Sequence, residues 1–428
     1  MKTLAVPDGI NSKLFVMEKG ALADLPEVLH TVFPNRVPWL VADGNTWEAA
    51  GKKAAEILKR AKLKTHDSCL FPGTPTLHPD KALSEKLLEL MPPDSVPVAV
   101  GSGVINDLVK CAAGMANLPY CCCPTAASVD GYTSSGAAMV VGGMKITVPC
   151  PAPLAVVADL DVLDAAPPAM AAAGYADLFA KVTGGADWII ADTLGIEPID
   201  PAVWSLVHRE LPLRLEESGD KRAIFAGLAA TGYAMQLYRD SRPASGAEHL
   251  MSHIWEMEGL TCEGESISHG FKVGIGTIAA ARLLEFVIDT GADRLPPPEQ
   301  PGPTRKEREA EIDRLLIRGC YGDGIKTVAM QKFSEGKELA ARRRLIRDRW
   351  DAIRAKLQDY LIPSARMIEM LKTAHCPTGI SEIGLELEQF AHGIRCAKLI
   401  RKRYMVLDLL YESGLFETAI ARILEQYR

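Results

Sequence analysis

Residues 96–107, VPVAVGSGVIND, are the stretch on which the fold turns. A short apolar run, 96–100, meets Gly101-Ser102-Gly103 and passes at once into a helical pattern over 105–116. This is a strand, a tight glycine turn and a helix in succession. Glycines at such a turn let the backbone approach a pyrophosphate, whose charge is favoured by the amides at the helix start. The pattern reads G-x-G-x-x-N and departs from the usual G-x-G-x-x-G. By itself it also fits a plain βα turn.

Three further runs repeat the design. Residues 37–42 (VPWLVA) end at Asp43, 119–123 (PYCCC) lead into Pro124-Thr125, and 154–158 (LAVVA) end at Asp159. Helical patterns at 47–62 and 82–91 lie between them. Short strands separated by helices predict a parallel sheet with helices on both faces. Ligands of such sheets sit beyond the carboxyl ends of the strands. Functional residues are therefore expected at Asp43, Gly101–Asp107 and Thr125–Asp130. From about 166 the strand-like runs largely stop. Helical patterns take over at 169–193, 221–239, 246–258, 270–289, 305–317, 335–361, 363–373, 384–411 and 414–427, with a Pro-rich loop at 295–304. The expected organisation is an α/β domain over 1–165 and an all-α domain over 166–428.

Length and composition narrow the function classes. A chain of 428 residues suits two or three domains. It is 48% hydrophobic and 24% charged, which excludes disorder for its bulk. The net charge of −6 argues against a nucleic-acid partner. No apolar run approaches the roughly 18–20 residues of a membrane helix, and MKTLAVPDGI does not read as a secretory leader. The ten cysteines contain no C-x-x-C spacing. They read as buried free thiols in a reducing, cytoplasmic compartment. Arg342-Arg343-Arg344 and Arg347 admit a phosphate-binding or nucleic-acid patch, but with acids interspersed and few aromatics they read as a solvated helix face.

Three groups carry candidate chemistry. Asp43 fits either a ribose-binding carboxylate or a cap in the turn D-G-N-T. The loop Pro124–Gly136 brings Thr125, Ser128, Asp130 and Ser134, which fits cofactor binding or a polar turn. The third group is Gly246-Ala247-Glu248-His249-Leu250-Met251-Ser252-His253. His249 and His253, four apart, share one face of a helix. His269 follows twenty positions after His249, and Asp177 lies upstream on a helical pattern. One Asp and two His with an open position would make a catalytic divalent-metal site. A His pair at this spacing also fits an ordinary polar face. Glu248 precedes His249, so the order H-E-x-x-H of metalloproteases is absent. The other six histidines read as structural.

Taken together, GSGVINDLVK at 101–110, the 124–134 loop, the Asp177 segment, GAEHLMSH at 246–253 and His269-Gly270 resemble the glycerol-1-phosphate dehydrogenases, in particular their bacterial branch. These belong to the superfamily of iron-containing alcohol dehydrogenases and dehydroquinate synthases. Cys376-Pro377-Thr378 and RYMVLDLL at 403–410 add to the likeness, which is thinnest over 290–345. The resemblance implies a Rossmann-like N-terminal domain with a dehydroquinate synthase-like helical domain. It implies NAD, or NADP, over Gly101, Ser102 and Gly103, contacted by Asp107, Thr125, Ser128 and Ser134. It implies one divalent metal, Zn2+ or Ni2+, on Asp177, His249 and His269, with Asp130 and His253 facing a phosphorylated ketone or polyol. The implied reaction is reduction of dihydroxyacetone phosphate to glycerol 1-phosphate by a homodimer. Lys145, Lys181 and Lys272 are candidates for the substrate phosphate. A dehydrogenase of another polyol is the alternative. A dehydroquinate synthase-type lyase would call for Glu where Asp177 stands and for more lysines mid-chain. Two departures stand out: Ser102 replaces a common glycine, and His269-Gly270-Phe271 replaces His-Gly-Glu, leaving the orienting partner of His269 to another group.

Overall fold

The computed structural model describes residues 3–142, 144–318, 321 and 324–427. Its strands are β1 (Thr3–Leu4), β2 (Leu14–Glu18), β3 (Val37–Asp43), β4 (Cys69–Phe71), β5 (Ser95–Gly101), β6 (Cys121–Pro124), β7 (Ala137–Val141), β8 (Met144–Val148), β9 (Ala155–Asp159), β10 (Thr261–Cys262) and β11 (Glu265–Ser266). Seven of them form one sheet in the order β1-β2-β9-β6-β5-β3-β4. All neighbours are parallel except β1 with β2. The four strands legible in the sequence, β3, β5, β6 and β9, are adjacent inside this sheet, and β2, which the sequence reading did not single out, lies beside β9. Every residue of β5, β6 and β9 is buried, because helices cover both faces and leave no polar side to the strand.

One face packs Val96, Val98, Val100, Leu40, Cys121 and Val157 against Leu25, Val28, Leu29 and Leu58, which come from the helices Leu25–Val32 and Lys52–Arg60. The other face carries the helix Gly103–Met115, whose Leu108 and Cys111 meet Ala137 and Met139 of the hairpin β7–β8. The three adjacent cysteines fill β6 as core residues, and burial pushes the Cys122 thiol up out of reach of ionisation. The nine described cysteines are free thiols.

The chain divides into two compact units, residues 1–178 with 209–241 and residues 179–208 with 242–428. The helices that follow position 165 are thus shared out differently from the division at 165/166 expected above. The physical reason lies in close packing. A side chain at Gly174, in the helix Pro168–Phe179, would collide with the Ala127 carbonyl, and one at Gly232, in the helix Lys221–Tyr238, would collide with Thr133. The second helix also lays Phe225 and Tyr233 against Phe15, with ring centroids 6.0 and 6.2 Å apart. The unit containing 242–428 is helical apart from the antiparallel pair β10–β11, a short exception to the expected all-α composition. Its centre is the helix His269–Asp289, buried along most of its length.

The arginines of the long helix Gly336–Tyr360 correct one expectation. Arg343 is buried and donates Nε to the Glu412 carbonyl at 2.8 Å. Arg347 donates to the carbonyls of Ala292, Leu295 and Pro296. Prolines supply no amide to a ladder, so the carbonyls of the Pro-rich loop find guanidinium donors instead. These residues are loop anchors rather than a solvated face. Among the described residues no helix is long and apolar enough to cross a membrane.

Leu40 lies at the centre of the first core face and is 1% exposed. Leu40→Ala is expected to destabilise the protein by about 2–5 kcal/mol, measured as a lowered urea midpoint with an unchanged slope.

Candidate active site

The sheet register sets out the first part of the site. Val41 pairs with Ala99 and Gly101 with Pro124, so Asp43, Gly101 and Pro124 stand in one row at the carboxyl edge. The chain leaves β3 for β4 on one side and returns to β5 on the other. That reversal opens the crevice where α/β sheets hold ligands. At its wall, Ser102 is the N-cap of a 13-residue helix and makes no side-chain cap bond. The Gly103 amide meets the Tyr132 hydroxyl, and the start of such a helix favours negative charge. Gly101 and Gly103 are demanded by packing. A side chain at Gly101 would strike Ile105, and one at Gly103 would press on Val129 at 3.0 Å. Asp43 closes a capping box, its Oδ1 accepting from the Thr46 amide at 2.8 Å while Thr46 Oγ1 accepts from the Asp43 amide at 3.0 Å. The turn reading of Asp43 is therefore the one that this geometry carries.

The loop after β6 is held from inside. Lys110, fully buried, donates Nζ to the carbonyls of Gly131 at 2.7 Å and Gly136 at 3.0 Å, with Ser134 Oγ at 3.4 Å and Asp107 Oδ1 at 3.5 Å. Burial pushes the Asp107 carboxyl up, against the pull of Lys110. Asn106 Nδ2 also donates to the Gly131 carbonyl, and the Thr125 amide donates to Gly101. The Ser128 and Tyr132 hydroxyls share a hydrogen bond of 3.0 Å. Four of the residues singled out in the sequence, Asp107, Thr125, Ser128 and Ser134, thus take part in shaping this loop. Lys110, its keystone, was passed over there. The signal was an ammonium among apolar helix positions, which buries only with partners.

The second part comprises the histidines. Asp177 is fully buried near the end of its helix, two residues before the chain passes into the helical unit. Its Oδ2 accepts the Asp130 amide at 3.0 Å. His249 lies in the first turn of the helix Ala247–Met257, and His269 opens the helix His269–Asp289. His249 and His269 belong to the same compact unit, and Asp177 to the other. A side chain at Gly276 would collide with the Glu248 carbonyl, so glycine lets the two helices approach and brings the His249 and His269 ring centroids to 5.5 Å. Upstream, Asp187 Oδ2 accepts the Ala247 amide at 2.8 Å, fixing the start of the His249 helix. Burial, and next the charge of Glu248, push the Asp187 carboxyl up to about 7.

Each of these imidazoles is oriented by a carboxylate. His249 Nδ1 lies 2.8 Å from Glu248 Oε1, and Thr183 Oγ1 donates to the other Glu248 oxygen at 3.0 Å. Burial opposes ionisation of Glu248, but the His249 ring and the Gly246 amide outweigh it and hold the carboxyl below its usual range. His269 Nδ1 lies 3.4 Å from Glu256 Oε1, and His253 Nδ1 lies 3.4 Å from Glu256 Oε2. A proton given from Nδ1 to a carboxylate leaves the Nε2 lone pair for a metal. Glu256 is the orienting group that the missing Glu after His269-Gly270 left open. Its spacing from His253, three positions on one helix, was the available signal. His253, Glu256 and His269 form a group of possible ligands. In it, however, Glu256 Oε1 already meets the Lys272 ammonium at 2.8 Å. Of the three candidate lysines, the structure brings Lys272 to the histidines; Lys145 lies on β8 and Lys181 in the helix Lys181–Thr193. By residue type, Asp177, His249 and His269 are a buried carboxylate and two imidazoles with oriented rings, the donor types that a divalent metal takes.

Comparison with known proteins identifies the family. The family described as iron-containing alcohol dehydrogenase matches residues 16–167. The glycerol-1-phosphate dehydrogenase, NAD(P)+, of Halalkalibacterium halodurans is 37% identical over 278 residues, 62% of this chain and 69% of that protein. The Bacillus subtilis enzyme of the same name is 38% identical over 294 residues, 65% of this chain and 72% of that one. A solved structure of a probable glycerol dehydrogenase from Sinorhizobium meliloti superposes with a TM-score of 0.59 at 14% identity, covering 98% of this chain and 100% of the other. At that identity the likeness is one of fold. The chain belongs to the glycerol-1-phosphate dehydrogenase family of the iron-containing alcohol dehydrogenases.

Lys110→Met is expected to cost about 1–3 kcal/mol by removing the ammonium that joins the Gly131 and Gly136 carbonyls. Faster hydrogen exchange confined to residues 125–136 is the readout. Glu256→Gln is expected to keep the fold and weaken divalent-metal binding about 10–100-fold, read by competition with a chelator. Unchanged affinity would remove Glu256 from the orientation of His269.

Proposed function

We propose that this protein is an NAD(P)-dependent, metal-dependent sn-glycerol-1-phosphate dehydrogenase that interconverts dihydroxyacetone phosphate and glycerol 1-phosphate. The observation that carries the reading is the pairing of His249 and His269, each oriented by a carboxylate, in a chain 37–38% identical to enzymes of that name. In this reading the cofactor diphosphate lies at Gly101, Ser102 and Gly103, where the helix start favours its charge. Thr125, Ser128, Asp107 and Ser134 shape the wall beside it, and Asp43 stands at the ribose end of the same row. Asp177, His249 and His269 hold one metal ion, zinc or nickel. When bound, metal and nicotinamide supply a Lewis acid for the carbonyl and a hydride donor for its carbon.

The chain's own residues do the rest. Asp130 is placed by the hydrogen bond that its backbone amide donates to Asp177 Oδ2, and it faces the substrate. His253 exchanges a proton with the substrate oxygen, and its Nδ1 contact with Glu256 holds the ring in place. Lys272, close to the histidines through Glu256, is the cation nearest to hand for the substrate phosphate. The same reading includes a homodimer in the cytoplasm.

The test is NADH oxidation with dihydroxyacetone phosphate, on protein stripped of metal and reloaded with zinc or nickel, with both glycerol phosphate enantiomers supplied in reverse. Metal-dependent turnover confined to glycerol 1-phosphate is the expected result. Turnover only with another polyol would overturn the substrate. His249→Ala and His269→Ala are expected to lose metal and activity together, whereas His253→Ala is expected to keep its metal and lose at least about 100-fold in kcat. A His249→Ala variant with full metal content would sink the ligand assignment.

A further inference from the structure

A cavity of about 210 Å³ lies within the helical unit, and none of its lining residues belongs to the glycine turn, the 124–136 loop or the histidine cluster. Its walls come largely from the segment where resemblance to relatives is thinnest and from the helices that segment packs on. Six lining side chains are cationic and two are acidic. The two acids are already engaged. Asp408 Oδ1 meets Lys332 Nζ at 2.7 Å, and its Oδ2 accepts the Met405 amide. Glu412 accepts the Tyr404 hydroxyl at 2.7 Å and lies 3.8 Å from Arg342 Nε.

The cations are not balanced. Arg308 and Lys398 are 4% and 1% exposed, and both stack on the Tyr411 ring, at 4.5 and 4.6 Å. They share one carboxylate, Glu311, at 2.7 and 3.9 Å. The Arg308 Nε finds no hydrogen-bond partner among the described residues. Burial, and next the charge of Arg308, lower the Lys398 ammonium to about 7. Arg342 and the exposed Lys402 stand at the same cavity. Buried cations in excess of their counter-charges are costly unless an anion completes them. A group with two charges and three acceptor oxygens answers an arginine fork and several ammonium donors together.

We propose that this cavity is a second ligand site, for a small phosphate-bearing anion held by Arg308, Arg342, Lys398 and Lys402. The apolar part of the wall, including Phe333 and Leu339, gives the organic portion of a phosphate monoester somewhere to lie. The site stands on its own geometry and does not depend on which substrate the histidine cluster turns over.

The experiment is calorimetric titration of the full-length protein with inorganic phosphate, glycerol 1-phosphate and glycerol 3-phosphate in turn. It is repeated on Lys402→Glu, a surface change, and on Arg342→Gln. Saturable binding is expected that Lys402→Glu weakens tenfold or more and Arg342→Gln weakens in the same direction. Lys402→Glu is expected to retain the thermal midpoint and the turnover of the unmodified enzyme. Equal affinity for all three probes would make the phosphate group the whole of what is recognised. A preference for an ester would identify the ligand as an organic phosphate. Absence of saturable binding for every probe overturns the proposal. So does binding that neither variant alters, since the anion would then lie elsewhere.

Discussion

The buried ammonium of Lys110 is the interaction on which the cofactor side of this molecule rests. An ammonium out of water is tolerated only when its donors are all taken. Here they are taken by carbonyls at both ends of one loop, Gly131 and Gly136, with Asp107 and Ser134 beside them. The loop is therefore closed around a fixed point instead of running free over the sheet edge. Its first residue is tied to Gly101 by the Thr125 amide, and Asn106 reaches the same Gly131 carbonyl. The helix that offers its N-terminus to an anion thus also carries the side chains that shape the opposite wall.

A comparable economy governs the histidines. Their spacing follows from the close approach of two helices at Gly276, and their orientation from two carboxylates, Glu248 and Glu256. Glu248 is itself anchored by Thr183 and by the Gly246 amide. Asp177 is anchored by the Asp130 amide, so the residue proposed to face the substrate and the residue proposed as a ligand are joined by one hydrogen bond. A disturbance at either carboxylate acts on ring orientation before it acts on the fold, because the rings are held by few bonds while the helices beneath them are packed along their length.

The legible and illegible parts of the sequence separate along physical lines. The interior strands β3, β5, β6 and β9 announce themselves because burial on both faces leaves them apolar throughout. The edge strands β1 and β4 are two and three residues long, and the hairpin β7–β8 lies apart from the main sheet, so neither offers a run that a pattern can catch. Among the site residues, those with distinctive chemistry or turn geometry were legible: the glycines at 101 and 103, Asp177 and the three histidines. Lys110, Glu248 and Glu256 were not recognised as positioning groups, because their roles depend on partners that the chain brings up from elsewhere. Asp43 marked the strand end correctly, and what its carboxylate touches is the local Thr46 cap. The arginines at 343 and 347 misled in the opposite sense: charge density suggested a wet face, while the carbonyls of a proline-rich loop needed donors.

By itself, then, the sequence determined an α/β sheet unit, a largely helical remainder, and a set of residues of the types that bind a divalent metal. Those are matters of local pattern and side-chain type, which a linear chain carries openly. Only the tertiary structure decided which helices join which unit, which carboxylate orients each imidazole, and that six cations with two acids would line one cavity. Each of those depends on close approach between segments distant in the chain. Such approaches are set by glycine contacts and by the need of every buried charge to find a partner.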